Sequence, residues 1–371
     1  MTASGPRPPL PRPSEGSLEP ELHVAFASDQ MYFHGLLVAA ASVAFFADRQ
    51  RSLTLHVLDG GIVNASWQRL VTCIARIHPR AICRRIVVDR TNLARFRDNG
   101  RKGPMVYARL LLPELVAASR VVYVDCDFLV LADLHAVATR PMGANLVLAV
   151  QDPMVGALGN DCPWLPQPHI DPAAPYFNSG FLVVDLGGWR ESDVAGRAWA
   201  LLARDGPKCT YWDQTVLNYV LAGKVGWLDR AWNFPNPGFA LEDAGGKACA
   251  LHYLNHQKPW LRGSGTDAHA LWRAFAKTVA RLRGHELKWR VWRDEARSLL
   301  LERNARLLAA WYDARVRAGH AAARLPAAYW RTQAEAKPSV RERAAHRRVL
   351  LRGARRSWRA ALRVGSNLQP T

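Results

Sequence analysis

The stretch RVVYVDCDFLVL, residues 120–131, is an apolar, largely β-branched run broken by two carboxylates, Asp125 and Asp127. Its length and composition read as a buried strand, and its two acids read as chemistry placed on that strand. On an extended backbone Asp125 and Asp127 point to one face while Cys126 points to the other. Two like charges on one face repel unless a cation lies between them. Hard carboxylate oxygens favour Mn²⁺ or Mg²⁺, and either ion keeps positions open for phosphate oxygens. The competing reading is that the DxD string arose by chance and its acids are solvated beyond a strand end.

Outward from this run the same pattern recurs. Residues 23–28 (HVAFAS), 53–59 (LTLHVLD) and 82–89 (ICRRIVVD) read as strands upstream, and 145–152 (NLVLAVQD) and 178–186 (NSGFLVVDL) as strands downstream. Helical stretches are expected over 35–46, 66–77 and 194–204. Strands alternating with helices predict a parallel sheet covered by helices on both faces, a doubly wound α/β domain. No repeat at a fixed period is visible, which argues against solenoids and propellers.

The chain has 371 residues, 49% of them apolar and 22% charged, which excludes disordered and fibrous classes. Fifty Lys and Arg against 31 Asp and Glu give a net charge of +19 and call for an anionic partner. That charge is concentrated: residues 281–371 hold 22 basic and 7 acidic side chains, so residues 1–280 are near neutral. The six cysteines show neither a CxxC pair nor zinc spacing, so a reducing compartment is expected, with no disulfide framework. Residues 1–20 contain six prolines and no apolar stretch, and are expected to be a flexible leader without an export signal. The longest apolar run, 35–47, falls short of the roughly 20 residues that span a bilayer.

Three further segments carry candidate site residues. HYLNHQKPW (252–260) offers the imidazole of His252 as a metal ligand and Lys258 to neutralise a departing phosphate, although each residue alone is as readily a satisfied histidine and a solvated lysine. YFNSGFLVVDL (176–186) opens a strand with Asn178, Ser179 and Gly180, small groups that let backbone approach a ligand. YWDQTVLN (211–218) places Asp213 and Gln214 at a helix start, where Asp213 taken alone reads as an N-cap.

Together these segments resemble the family 8 glycosyltransferases over residues 22–262, and their order and spacing make the match more specific than any single piece. AFASDQMYFHG (25–35) is similar to the family's first strand and uridine-binding turn, and YARLLLPEL (107–115) followed by VVYVDCDFLV to its YAR segment and metal-binding DxD. NSGFLVVDL resembles the donor-sugar strand, WDQTVLN the DQ motif and HYLNHQKPW the closing metal and phosphate motif. The likeness is strongest to bacterial enzymes that extend lipopolysaccharide or lipooligosaccharide cores with α-galactose or α-glucose. It implies a GT-A type doubly wound mixed sheet with helices on both faces, and retaining transfer from a UDP-hexose. It further implies that Asp125, Asp127 and His252 bind Mn²⁺, with Mg²⁺ as the alternative. Ala27, Ser28 and Asp29 would hold the nucleotide, and Tyr32 would stack near uracil. Arg109, Asn178, Asp213 and Gln214 would contact the donor sugar, Asp152 would lie near sugar and acceptor, and Lys258 would meet the leaving phosphate. One position departs from the family: a glycine common after the metal histidine is Asn255 here, whose side chain limits close backbone approach.

The reading divides the chain into a leader (1–20), a GT-A catalytic domain (21–280) and a basic helical region (281–371). In the last, Leu300, Leu307, Leu308, Trp311 and Tyr312 share one helical face, as do Leu351, Ala354, Trp358 and Leu362. With Trp289, Trp292 and Trp330 this pattern predicts helices lying in an anionic headgroup layer, so that the enzyme acts at the cytoplasmic membrane face on a glycolipid or other saccharide acceptor. Two alternatives remain at this level. A sugar-nucleotide pyrophosphorylase would carry a Gly-rich loop after its first strand, which the SDQMYFHG turn is not. A nucleic-acid-binding protein acting through 281–371 would carry a recognisable binding motif, and none is present.

Overall fold

Residues 21–94, 103–161, 163, 170–236, 248–254, 258–261 and 267–282 are described by the structure, a computed structural model. The leader, Asn255, and the five tryptophans and two apolar faces predicted beyond residue 282 lie outside the described residues.

Strands β1 (Leu22–Ser28), β2 (Leu53–Asp59), β3 (Ala81–Val87), β4 (Arg120–Val124), β6 (Val147–Gln151), β7 (Phe177–Asp185) and β8 (Val225–Trp227) form a seven-stranded sheet in the order β3-β2-β1-β4-β7-β6-β8. A second, three-stranded sheet has the order β5 (Phe128–Val130), β10 (Ala250–Tyr253), β9 (Phe234–Asn236). The pairs β3·β2, β2·β1 and β1·β4 are parallel, as the alternation of strands and helices predicts. The alternation alone does not show what happens beyond β4, where the sheet is mixed as the family resemblance implies: β7 runs antiparallel to both β4 and β6. The reason is connectivity, because β7 enters the sheet from the same end at which β6 leaves it.

The principal helices are α1 (Phe33–Phe46), α2 (Asn64–Ile77), α3 (Leu186–Glu191), α4 (Val194–Asp205), α5 (Asp213–Val220) and α6 (Asp267–Leu282). They cover both faces of the large sheet, so strand residues alternate between two cores. Val122 and Val124 of β4 join α1, α2 and α6 in one core, whereas Val121 and Tyr123 join α4, α5 and the 3₁₀ stretch Pro104–Leu111 in the other. Every residue of β2 is buried, as expected of a strand covered on both sides. α1 is apolar around nearly its whole circumference because it lies between the sheet, β5, α2 and α6. α2 instead buries Trp67, Leu70, Cys73, Ile74 and Ile77, one face of a surface helix.

The single strand expected over 120–131 is two strands. β4 ends at Val124, the chain turns through Asp125–Cys126–Asp127, and β5 begins at Phe128 in the other sheet. The carboxylates therefore sit in the turn joining two sheets rather than on a continuous pleat, although Cys126 does point away and donates its thiol to the carbonyl of Ala27 at 3.1 Å. The chain order reverses between β1 and β4, and in open α/β sheets the crevice at such a switch point, past the carboxyl ends of the strands, receives the ligand. The ends of β1, β4 and β6 and the start of β7 all meet there. Val124 pairs with Phe181 and Val150 with Asn178, and the Asp125 N–H donates to the Gly180 carbonyl at 2.8 Å.

Candidate active site

A cleft of about 310 Å³ opens at this crevice. All thirteen sequence-predicted positions line it: Ala27 and Ser28 at the end of β1 and Asp29 and Tyr32 after it; Arg109 on the 3₁₀ stretch; Asp125 and Asp127 in the β4–β5 turn; Asp152 after β6; Asn178 on β7; Asp213 and Gln214 at the start of α5; His252 on β10; and Lys258 beyond it.

At the centre, Asp125, Asp127 and His252 each direct one ligating atom so that the three atoms lie within 4.8 Å of one another. The surroundings leave one buried oxygen of this cluster, Oδ1 of Asp127, without a hydrogen bond. Oδ1 of Asp125 accepts from Arg109 at 2.8 Å and from the Tyr123 hydroxyl at 2.9 Å. Oδ2 of Asp127 takes the Lys258 ammonium, which also donates to the Tyr253 carbonyl at 2.7 Å. Oδ1 of Asp127 is buried without a hydrogen bond, 3.3 Å from Nε2 of His252. An orphaned carboxylate oxygen is costly to bury unless something is meant to meet it. Gly180 provides the space: a Cβ there would lie 2.5 Å from Cε1 of His252 and 3.0 Å from Oδ2 of Asp125. Two carboxylates and one imidazole around an uncompensated oxygen fit a hard divalent cation.

The electrostatics are those of buried pairs. Burial opposes charge on Asp127, but the Lys258 ammonium and His252 outweigh it and hold the carboxyl well below the usual carboxylate range. Burial likewise opposes charge on Arg109, and the carboxylates of Asp125 and Asp213 overcome it and raise the guanidinium's pKa. Arg109 spans the site: it donates to the Ser179 carbonyl, lies 3.0 Å from Asp213 through Nε, and stacks over the Tyr123 ring at 4.5 Å.

The N-cap reading of Asp213 fails. Trp212 occupies the cap position without a side-chain hydrogen bond, and Asp213 is the first residue of α5. Its carboxylate is engaged by Arg109 and by the Ser179 hydroxyl at 3.1 Å, partners that no local pattern reveals. Trp212 reaches this geometry at φ 53°, a left-handed backbone that is strained for a side chain of that size.

Gln214 and Asp152 are locked. The amide of Gln214 donates to Oδ2 of Asp152 and accepts from the Ser179 N–H, both at 3.0 Å. Asp152 also accepts from Asn178 Nδ2 at 3.0 Å and from the backbone N–H groups of Met154 and Val155 at 2.8 and 3.0 Å. In the turn that follows β1, Oδ1 of Asp29 accepts from Met31 and Tyr32 N–H groups, and Tyr32 meets Trp260 edge-on with centroids 5.9 Å apart. Trp260 in turn lies against Gly35, where a Cβ would come within 2.6 Å of the Cys126 carbonyl.

Tyr123, Ser179, Tyr211 and Trp212 also line the cleft, and Asn233 stands behind it. Of these only Ser179 carried a sequence signal, as part of the small polar opening of β7.

A model of the family described as "Glycosyl transferase family 8" matches residues 23–264. General stress protein A of Bacillus subtilis is 23% identical over 257 residues, covering 64% of this chain and 87% of that protein. The lipopolysaccharide 1,3-galactosyltransferase of Salmonella typhimurium is 21% identical over 255 residues, covering 65% and 73%. Among solved structures, a galactosyltransferase, LgtC, in complex with donor and acceptor sugar analogues superposes with a TM-score of 0.62 at 24% identity, covering 71% of this chain and 99% of that one. The mixed sheet and its flanking helices are thus the GT-A fold. With that fold, and with a family match covering well over half its length, this chain is a glycosyltransferase and belongs to glycosyl transferase family 8.

Proposed function

We propose that this chain transfers a hexose, galactose or glucose, from a UDP-sugar to a saccharide acceptor with retention at the anomeric carbon, the acceptor being a lipopolysaccharide core. The observation that carries the reading is the convergence of Asp125, Asp127 and His252 beside the Lys258 ammonium in one cleft. The Salmonella relative named for lipopolysaccharide galactosyl transfer supports the acceptor class.

In this reading Ala27, Ser28, Asp29 and Tyr32 hold the nucleotide, and Arg109, Asn178, Asp213 and Gln214 shape the sugar pocket. Asp125, Asp127 and His252 hold the divalent ion, Mn²⁺ in preference to Mg²⁺. When bound, the ion supplies Lewis-acid charge to the pyrophosphate as the glycosidic bond weakens. Lys258 stabilises the negative charge that develops on the leaving phosphate, and it costs little reorganisation because it already stands in the cleft. Asp152, with both oxygens accepting hydrogen bonds, fixes Gln214 and Asn178 rather than acting as a mobile base. Gln214 is an amide held at both ends and a poor nucleophile, so retention comes from attack on the same face that the phosphate leaves.

The charge of residues 281–371 supports attachment to anionic lipid at the cytoplasmic face. No helix among the described residues is long and apolar enough to cross a membrane. The test is a panel of UDP-sugars with Mn²⁺, with and without chelator, scored for UDP release. Release from UDP-galactose or UDP-glucose that chelator abolishes is expected. Absence of release from every donor would overturn the reading.

A further inference from the structure

We propose that Asn233 is a positioning residue that makes His252 a metal ligand by fixing which ring nitrogen carries the proton. The proposal rests on the metal reading above and extends it to a residue outside the cleft wall.

Two different features orient His252. The ring plane is set by packing: it stacks on Phe128 with centroids 4.2 Å apart, and its Cε1 edge lies against Gly180, where a Cβ would come within 2.5 Å. The tautomer is set by hydrogen bonding, and its direction can be followed from a fixed starting point. The backbone N–H of Gly180 can only donate, and it donates to Oδ1 of Asn178 at 3.0 Å. The other end of that amide, Nδ2, donates to the carboxylate of Asp152 at 3.0 Å. Both partners fix the Asn178 amide in one sense.

Asn233 therefore meets an acceptor and must present its NH₂, which donates to Oδ1 of Asn178 at 2.9 Å. Its Oδ1 is left facing Nδ1 of His252 at 2.9 Å, so Nδ1 must carry the proton. In the neutral ring Nε2 is then the nitrogen without the proton, directed into the cluster with Asp125 and Asp127. The buried sequence Asp152–Asn178–Asn233–His252 runs from the sugar pocket to the metal ligand without a reversible link.

Asn233 is needed because the alternative acceptor lies in the wrong place. Without it, the ring still has an acceptor on its Nε2 side, Oδ1 of Asp127 at 3.3 Å. A proton drawn there would occupy the nitrogen that must ligate the ion, and would also satisfy the carboxylate oxygen left free for it.

The experiment uses the full chain. Nitrogen chemical shifts of the metal-free protein, labelled in histidine and assigned with H252A, report the tautomer, and Mn²⁺ uptake is followed by the electron paramagnetic resonance signal of the free ion. At a pH where the ring is neutral, wild type is expected to show a protonated Nδ1 and bare Nε2. N233L, close in size but without an acceptor, is expected to move the proton to Nε2 and weaken Mn²⁺ binding by about tenfold or more. N233D keeps the acceptor while losing the donor to Asn178. It should retain the wild-type tautomer and bind Mn²⁺ more tightly than N233L, which a general packing defect would not produce. A neutral wild-type ring with its proton on Nε2, or N233L binding Mn²⁺ like wild type, would overturn the proposal. Should wild type take up no Mn²⁺, the metal reading fails, while the nitrogen shifts of wild type and N233L still decide whether Asn233 sets the tautomer.

Discussion

Gly180 is where a single atom decides the site. It is the point of closest approach between β7 and the ring of His252, and it carries the backbone N–H that fixes the Asn178 amide. Gly180→Ala would push a methyl group into the Cε1 edge of the imidazole, which Phe128 stacked on its face and Asn233 at Nδ1 hold in place. We expect it to weaken Mn²⁺ binding at least tenfold and to cost about 1–3 kcal/mol in urea unfolding. Unchanged metal affinity would contradict this geometry. Arg109 presents a second case. Lysine there would keep one charge but could not reach Asp125, Asp213 and the Ser179 carbonyl together. Arg109→Lys is expected to lower stability by ~3 kcal/mol, the cost of leaving a buried carboxylate short of its partner. A denaturation midpoint equal to that of wild type would show that the arginine fork is dispensable.

Between elements, two contacts give measurable consequences. Val130 of β5 lies at an edge of the small sheet, and its N–H donates to the hydroxyl of Ser42 in α1 at 3.0 Å, while that hydroxyl donates to the Ala39 carbonyl at 2.7 Å. Ser42→Ala leaves a buried N–H unpaired, so a loss of about 1–3 kcal/mol is expected from chemical denaturation. The second contact joins neighbouring strands: Nδ1 of His23 on β1 lies 3.1 Å from Nε2 of His56 on β2. Burial, reinforced by the nearby His23 and Arg84, lowers the His56 pKa from 6.5 to about 4. Between those values the unfolded chain binds more protons than the folded one. The stability contributed is therefore full above pH 6.5 and declines as pH falls towards 4. His56→Gln should flatten the fall in unfolding free energy across that window by ~2–3 kcal/mol. An undiminished fall in the variant would assign the acid sensitivity elsewhere.

For the whole molecule, the asymmetry of charge gives the proposed lipid attachment its test. The core closes around α6, whose Trp272, Phe275, Ala276 and Val279 are buried against the rest of the domain, so truncation must spare this helix. Removing residues 284–371 is expected to preserve UDP-sugar hydrolysis within about threefold while abolishing flotation with anionic vesicles, whose attraction is about 1 kcal/mol per engaged basic residue. Retained vesicle binding would place the lipid contact on the catalytic domain.

Much of this architecture was legible in the chain itself because its signals are local. Strand periodicity located β1, β2, β3, β6 and β7 within a residue or two, and buried apolar runs marked a sheet covered on both sides. Motif order then brought thirteen cleft-lining positions into view. The signals that failed were those depending on distant partners. The antiparallel entry of β7, the break of 120–131 into strands of two sheets, and the pairing of Asp213 with Arg109 all follow from which chain ends meet across the crevice. Asn233 left no mark at all, since an asparagine before a phenylalanine has no periodicity or spacing to read. Its hydrogen bonds lead to residues 55 and 19 positions away along the chain. Side-chain type and spacing determine which groups are available for chemistry. Only the folded packing determines which oxygen remains unpaired and which nitrogen remains bare, because hydrogen-bond direction is settled by neighbours that sequence proximity does not supply.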